Sequence, residues 1–263
     1  MALNITTSFS FTLPQVTDVL LQYEVAMIPE QQVLNGTSTL PAAVETARVP
    51  AEDDIGERLW LRGEGEIAIT YTANVEVTRM IAALEDLATL DTHRLPGEAV
   101  PYLFDSRYCP ANRLQGFVED QFGELSGGAK VVAMRDWIAE HFTYTPGVSG
   151  PQTTAIDTLI DRRGVCRDYA HVMVAFARAA AIPARFVSCY AEGVEPQDFH
   201  AIAEVFLADP TIAGGGAWHM VDATGMADPA QTAKIGVGRD AADVSFMTAF
   251  GPATFGDKSI AVS

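Results

Sequence analysis

A segment that begins at Cys166 and ends near Ala181 is apolar in almost every direction around a helical axis. Its apolar members include several alanines and the larger side chains Tyr169, Val172, Met173, Val174 and Phe176. A helix that is apolar on nearly all sides is buried at the centre of a domain. The polar residues Arg167, His171 and Arg178 lie on one narrow stripe. The rest of the chain therefore has to supply apolar layers around this helix.

The residues that follow this helix predict a small sheet. Pro183 stops the helix, and extended segments follow at 185–190, 200–206 and 217–222. Successive strands with short connections are most simply antiparallel neighbours. Before the central helix, one helical face is formed by Val131, Met134, Ile138 and Phe142. A shorter helix is predicted at 154–160, so the second half is expected to pack helices on an antiparallel sheet.

The N-terminal part alternates apolar and polar residues, which predicts strands. The longest alternating run places on one face Ile67, Ile69, Tyr71, Ala73, Val75 and Val77. Such alternation is typical of a half-buried antiparallel sheet. After this run the period changes, because Met80, Leu84 and Leu87 fall at helical spacing before the break at Pro96. This spacing predicts a helix over residues 80–87.

Composition and charge limit the classes of function. Of the 263 residues, 48% are hydrophobic and 19% are charged, which is ordinary for a folded globular protein. The formal net charge of −17 disfavours nucleic acid and anionic membrane surfaces as partners. A positively charged peptide or an amine-bearing substrate is better tolerated, although the acidity also suits a role in solubility alone.

The start of the chain and its apolar runs bear on its location. The first twenty residues contain no Lys or Arg and alternate apolar with polar side chains, unlike a secretion signal. No stretch approaches the roughly 18 apolar residues that cross a bilayer. We therefore expect a cytoplasmic protein.

The three cysteines, Cys109, Cys166 and Cys189, are far apart and form no CxxC pair. This spacing indicates neither a disulfide framework nor a zinc ribbon. Cys166 lies where a loop meets the start of a buried helix, so unpaired backbone N–H groups and the helix dipole favour its thiolate. Cys189 lies within an apolar strand and Cys109 beside a proline, and both are interpreted as structural.

His200 and Asp222 are the best placed partners for such a thiolate. His200 begins one predicted strand and Asp222 ends the next, and antiparallel pairing brings those two ends together. His219 points to the other face of its strand, because side chains alternate. His171 lies on the polar helix stripe with two arginines, where a supporting role is expected. The pattern predicts a nucleophile, a base and an orienting carboxylate.

These residues lie in segments that resemble a known family. Residues 164–171 (GVCRDYAH) with 181–185 (AIPAR) are similar to the nucleophile segment of transglutaminase-like proteins. The His200 segment and residues 218–224 (WHMVDAT) resemble the histidine and aspartate segments of that family, in the expected order. Two departures are Ile202, where many relatives have tryptophan, and Ala223, where many have proline.

The resemblance implies an α+β fold with a papain-like core, in which a buried helix carrying the cysteine packs on an antiparallel sheet. It implies an N-terminal β-rich accessory domain at 1–110, similar to that of bacterial members, and a catalytic domain at 111–263. The catalytic roles fall on Cys166, His200 and Asp222.

The expected reaction is attack of Cys166 on a peptide or carboxamide carbonyl, with His200 protonating the departing amine. Release of the thioester to water gives proteolysis or deamidation, and release to an amine gives crosslinking. Bacterial relatives described as cysteine proteases favour hydrolysis of a protein or peptide substrate. A glutamine amine transferase and a non-catalytic binding scaffold remain alternatives.

No cofactor is expected, and a metal site using Cys166, His171 and His200 is disfavoured because companion ligands at close spacing are missing. One donor for the oxyanion is the backbone N–H of Cys166. Tyr144 and Trp137 are candidates for the second donor.

Overall fold

The protein is described by a computed structural model that covers residues 2–209, 211 and 215–263. The chain begins with four strands of one antiparallel sheet. They are β1 (Ala2–Leu21), β2 (Gln31–Thr39), β3 (Glu45–Pro50) and β4 (Glu57–Val77). β1 and β4 are long and pair along most of their length, while β2 and β3 both pair with the other edge of β4. The predicted N-terminal sheet is confirmed.

The middle of the chain is helical. Its elements are α1 (Gln115–Phe122), α2 (Gly127–His141), β5 (Thr143–Tyr144), α3 (Ala155–Asp161), β6 (Arg163–Gly164) and α4 (Cys166–Ala179). The short strands β5 and β6 pair in parallel immediately before α4. The predicted helices at 131–142, 154–160 and from Cys166 onward correspond to α2, α3 and α4.

A second antiparallel sheet follows α4. It consists of β7 (Ala184–Ala191), β8 (His200–Ala208), β9 (Gly216–Val221) and β10 (Thr232–Gly238), in the order β10-β7-β8-β9. β8 is therefore flanked by its sequence neighbours on both sides, as predicted. Helix α4 packs mainly on β8 and β7, which produces the mixed helix and antiparallel sheet architecture.

The last two strands return to the first sheet. β11 (Met247–Ala249) and β12 (Thr254–Val262) both pair with β1. The ends of the chain thus meet, and Asn4 and Ser263 exchange backbone hydrogen bonds of 2.7 and 3.0 Å. The division at residue 110 stays a prediction, and residues 247–262 extend the sheet formed by the first strands.

Two large apolar cores lie on either side of the second sheet. One core surrounds α4, whose residues from Asp168 to Arg178 are all buried, with apolar side chains of α2, β8 and β9 around it. The other lies beneath the first sheet and includes Tyr190 of β7 and Ile235 of β10. The central position predicted for α4 is confirmed.

The prediction of a helix over residues 80–87 is wrong. The segment is mostly irregular and contains only a 3-10 turn at Leu84–Asp86. It crosses the start of α2, where the N–H of Gly128 donates to the carbonyl of Leu87 at 2.7 Å. A Cβ on Gly128 would lie 1.5 Å from the Leu84 carbonyl oxygen, so only glycine permits this approach. Contact with α2 therefore overrides the helical spacing.

None of the helices in the described ranges is both long and apolar enough to cross a bilayer.

Candidate active site

Cys166 is the first residue of α4, and its position depends on the two residues around it. The carboxylate of Asp168 accepts the N–H of Val165 at 2.8 Å, which satisfies a free backbone group at the helix start. Asp168 packs so closely that a Cβ on Gly164 would lie 2.6 Å from its Cβ. Cys166 is half-buried, and its sulfur lies 4.0 Å from the carbonyl oxygen of Phe199.

His200 and Asp222 form a buried pair. His200 is the first residue of β8, and its Nε2 lies 3.0 Å from Oδ2 of Asp222. The two side chains are only 0% and 4% exposed, so water screens their interaction little. Among the described residues, Nδ1 of His200 has no hydrogen-bond partner of ordinary geometry. That nitrogen is the one left to exchange a proton with a neighbouring group.

The protonated form of His200 is favoured. Burial by itself lowers the pKa of the imidazole, but the hydrogen bonds and charges of Asp222 and Cys166 outweigh burial and raise it to about 9. The thiol of Cys166 is thus near enough to act on the ring. Catalytic hydrogen bonds in unliganded enzymes are often long and tighten when substrate binds. The three predicted site residues are therefore neighbours in the structure.

Asp222 is held by the turn that follows β9. Its carboxylate accepts the N–H groups of Thr224, Met226 and Ala227 at 2.8, 3.1 and 2.8 Å, and also the Thr224 hydroxyl. Burial raises the pKa of this carboxyl, but His200 and the backbone N–H groups more than offset that effect and lower it. Asp222 therefore remains ionised and fixes the orientation of His200.

The two candidates for a second oxyanion donor lie in different places. Tyr144 of β5 is next to Cys166. Burial raises the pKa of its phenol and the Cys166 thiol raises it further, although the Cys166 backbone N–H partly offsets this. Trp137 instead packs among aromatic rings, 5.7 Å from the Phe176 ring, with the Arg162 guanidinium 4.4 Å above it. Tyr144 is the candidate that reaches the thiol.

The other cysteines and His171 are enclosed. Cys109 and Cys189 are both 0% exposed. Burial raises the pKa of Cys109 to about 12 and that of Cys189 well above its ordinary value. His171 is buried beneath Tyr108, and its Nε2 accepts the N–H of Ala241 at 3.2 Å. Within the described ranges, His, Cys, Asp and Glu side chains form no cluster of three or more suited to a metal ion.

The comparisons with known proteins agree with this architecture. Residues 115–223 match the sequence model of the Transglutaminase-like superfamily. This part of the chain is therefore a transglutaminase-like core, and the family resemblance is confirmed. The matched segment begins at α1 and ends directly after Asp222.

Two proteins resemble the chain over most of its length. A solved structure described as a putative cysteine protease from Cytophaga hutchinsonii superimposes with a TM-score of 0.90 and 29% identity. The match covers 100% of this chain and 90% of that one, so the N-terminal sheet belongs to the shared fold. An uncharacterized protein of Mycobacterium leprae is 26% identical over 224 residues, 81% of this chain and 78% of its own length.

Several groups around the cysteine were missed at the level of sequence. The Phe199 carbonyl oxygen lies 4.0 Å from its sulfur, and the carboxylate of Asp168 accepts the Val165 N–H at the helix start. Asp168 is the third residue of the helix, a position where an acidic side chain can accept the N–H of the residue before the helix. This position was the available signal. Lys258 comes from β12 and pairs with Asp198 beside the site. No local pattern joins residues so far apart in sequence.

Proposed function

We propose that the protein is a cysteine-dependent hydrolase that cleaves peptide or carboxamide bonds through a thioester. The observation that carries this proposal is the buried His200, which is bonded to Asp222 through Nε2, has no partner of ordinary geometry at Nδ1, and interacts with Cys166. This arrangement supplies a nucleophile, a proton carrier and an orienting carboxylate. The description of the Cytophaga hutchinsonii protein as a cysteine protease supports the same class of reaction.

In the proposed reaction, His200 already holds the proton, as its pKa of about 9 favours, and the Cys166 sulfur attacks the carbonyl carbon as the thiolate and forms a C–S bond. The tetrahedral intermediate then collapses, the C–N bond breaks, and His200 gives the proton to the departing amine. Water attacks the thioester with the now neutral His200 as base, which releases the acid and regenerates the thiolate beside protonated His200. Asp222 holds the ring orientation and stabilises the imidazolium in both stages.

Developing charge on the carbonyl oxygen needs hydrogen-bond donors that are already in place. The backbone N–H of Cys166 is at the start of α4, where helix N–H groups are unpaired. The raised pKa of Tyr144 keeps its phenol protonated, and the phenol lies next to the same N–H. We assign these two groups to the oxyanion in the proposed reaction.

The same thioester could be released to an amine, which would make the protein a glutamine amine transferase. The choice between water and amine depends on which of them reaches the thioester. Hydrolysis is favoured here by the description of the Cytophaga hutchinsonii protein as a putative cysteine protease. A non-catalytic scaffold is the contrasting alternative, and it requires no reactive thiol.

Intact-mass labelling with sub-stoichiometric iodoacetamide from about pH 5 to pH 9 tests the reactive pair. We expect alkylation of Cys166 in wild type already below about pH 7, and a rate at least about tenfold lower in His200→Ala at that pH. The exposed histidine variant His93→Ala is the control and should follow wild type. Selectivity over the buried cysteines alone decides nothing, because burial protects them in any case. Equal rates for wild type and His200→Ala across the range would favour the scaffold.

A further inference from the structure

An ion pair lies beside the candidate nucleophile and takes no part in the reaction described above. Nζ of Lys258, from β12, is 2.5 and 2.6 Å from the two carboxylate oxygens of Asp198. Asp198 precedes β8 by two residues, so the pair joins the first sheet to the loop that leads to His200. The Lys258 ammonium group is thus bound to the Asp198 carboxylate at the edge of the candidate active site.

The Asp198 carboxylate is fixed close to the reacting groups. Its Oδ1 accepts the N–H of Phe199 at 2.7 Å, and the carbonyl of that same residue lies 4.0 Å from the Cys166 sulfur. The negative charge of Asp198 also contributes to the raised pKa of the Tyr144 phenol, after burial and Cys166. The charge of Asp198 thus acts on the same phenol as Cys166 does.

The ion pair is accessible and exchangeable. The side chains of Lys258 and Asp198 are 31% and 40% exposed. Pairs with this degree of exposure contribute little to stability, because water screens the charges and two flexible side chains are ordered. Another ammonium or guanidinium group can therefore replace Lys258 at little cost.

The surroundings also suit the apolar stem of a long basic side chain. The ring of Phe199 stacks on Phe246 at 4.9 Å, and Phe246 meets Phe255 edge-on at 5.5 Å. The Lys258 ammonium lies 6.0 Å from the centre of the Phe199 ring. Lysine and arginine bury their methylene groups on such surfaces while the charged end stays in water.

We propose that Asp198 is a specificity residue that binds a lysine or arginine side chain of the substrate peptide, and that Lys258 is the counterion it releases on binding. This inference rests on the proposed hydrolase function and assigns its substrate class. We expect the basic residue to be the one that carries the reacting carbonyl or the one before it, since Asp198 is one residue from Phe199, whose carbonyl oxygen lies 4.0 Å from the sulfur. The net charge of −17 attracts such peptides at long range.

A carboxylate at this position also bears on the choice between water and amine. An ammonium group bound to Asp198 is held in its protonated form, and a protonated amine has no lone pair to attack the thioester. Asp198 therefore favours recognition of a basic side chain, and it disfavours attack of that side chain's amine on the thioester. A bound lysine is a feature of the substrate, and water remains the acceptor.

The test compares two pairs of tripeptidyl chloromethyl ketones, with lysine or norleucine either at the residue bearing the ketone or one residue before it. In each probe the Cys166 sulfur displaces chloride and forms a C–S bond, which intact mass detects. We expect wild type to react about fivefold faster with lysine than with norleucine in at least one pair, equivalent to the ~1 kcal/mol upper end for partly exposed ion pairs. The ratio should fall to about one in Asp198→Asn.

The lysine-to-norleucine ratio is internal to each variant, so a general change in thiol reactivity cancels. Lys258→Met should raise the ratio, because it removes the competing cation. Asp257→Asn is the control, because it removes one exposed carboxylate from β12, the strand that carries Lys258. It should leave the lysine-to-norleucine ratio at the wild-type value.

A wild-type ratio near one in both pairs, or a ratio unchanged in Asp198→Asn, overturns the assignment of Asp198. If this happens while iodoacetamide labelling still depends on His200, the hydrolase proposal stands and only the substrate class is wrong. If iodoacetamide labelling shows no dependence on His200, both proposals are overturned.

Discussion

Three identical thiols differ in chemistry because their surroundings differ. Cys109 and Cys189 are fully buried, and burial raises the pKa of each, so both remain thiols. Cys166 is partly exposed at the start of α4, with a buried imidazole beside it. Desolvation and a nearby positive group have opposite effects on a thiolate. The sequence permits this distinction, since only Cys166 lies at a loop-to-helix junction.

His200 gives a pH dependence of stability with a definite sign. Its pKa is raised from the ordinary value of 6.5 to about 9 by Asp222 and Cys166 against the effect of burial. The protonated ring therefore stabilises the folded state fully below about pH 6.5, and this contribution is lost as the pH rises through about 9. The stability advantage of wild type over His200→Gln should fall by on the order of 3 kcal/mol across that window.

Denaturant unfolding of both proteins at about pH 6 and about pH 9.5 measures this difference. His93→Gln removes an exposed imidazole and serves as the matched control. An advantage of wild type over His200→Gln that stays constant with pH would show that Asp222 and Cys166 do not hold the proton on His200.

Among the elements, α4 and the three strands that follow it were predictable and the segment before α2 was not. The apolar residues of α4 cover nearly its whole circumference, and this pattern is typical of a buried helix. Met80, Leu84 and Leu87 have helical spacing too, but Met80 is 51% exposed and the backbone near Leu84 is drawn against Gly128. The glycine pair Gly127–Gly128 is a site of close backbone contact, which the spacing of apolar residues does not reveal.

The start of α4 depends on Gly164, and this dependence can be tested. A Cβ there would lie 2.6 Å from the Cβ of Asp168 and 2.7 Å from its Oδ2. Gly164→Ala should displace the Asp168 carboxylate from the Val165 N–H and cost about 1–3 kcal/mol. It should also slow alkylation of Cys166, because the helix start carries the sulfur. The comparison variant is Gly150→Ala, where a Cβ would meet open space.

The midpoint of denaturant unfolding and the alkylation rate are measured for both glycine variants. Gly150→Ala is expected to match wild type in both. Equal behaviour of the two variants would mean that Asp168 has room to move and does not fix the start of α4.

At the scale of the whole molecule, the two sheets are joined by contacts that no local pattern predicts. The hydroxyl of Tyr190 in β7 donates to the carbonyl of Tyr23 at 2.7 Å. The side chain of Gln31 bonds both the N–H and the carbonyl of Lys234 at 2.8 Å. β12 completes the first sheet from the opposite end of the chain and brings Lys258 to the site. Strand alternation predicts that these segments are strands, but it does not say which strand each one pairs with.

A buried ionic network continues this junction. Lys234 of β10 lies 2.6 Å from both Glu204 and Glu30. Arg185 of β7 bridges Glu204 at 2.7 Å and Asp53, in the turn between β3 and β4, at 3.0 Å. Burial by itself raises the pKa of Glu204, but the charges of Lys234 and Arg185 lower it to about 2. Glu204 is thus ionised in the interior, and its stabilising contribution, present above about pH 4.5, is lost as the pH falls toward 2.

Removal of one cation from this network should therefore be far more costly than loss of a surface pair. Lys234→Met leaves Glu204 buried and ionised with Arg185 as its remaining partner, and we expect a loss of about 3–5 kcal/mol at neutral pH. Arg62→Gln breaks a pair with Asp18 in which the side chains are 54% and 47% exposed, and its cost should stay below about 1 kcal/mol. Denaturant unfolding of both variants, analysed with one shared slope of the free energy of unfolding against denaturant concentration, compares the two losses. If Lys234→Met costs no more than Arg62→Gln, then apolar packing beneath the first sheet joins the two sheets without help from the network.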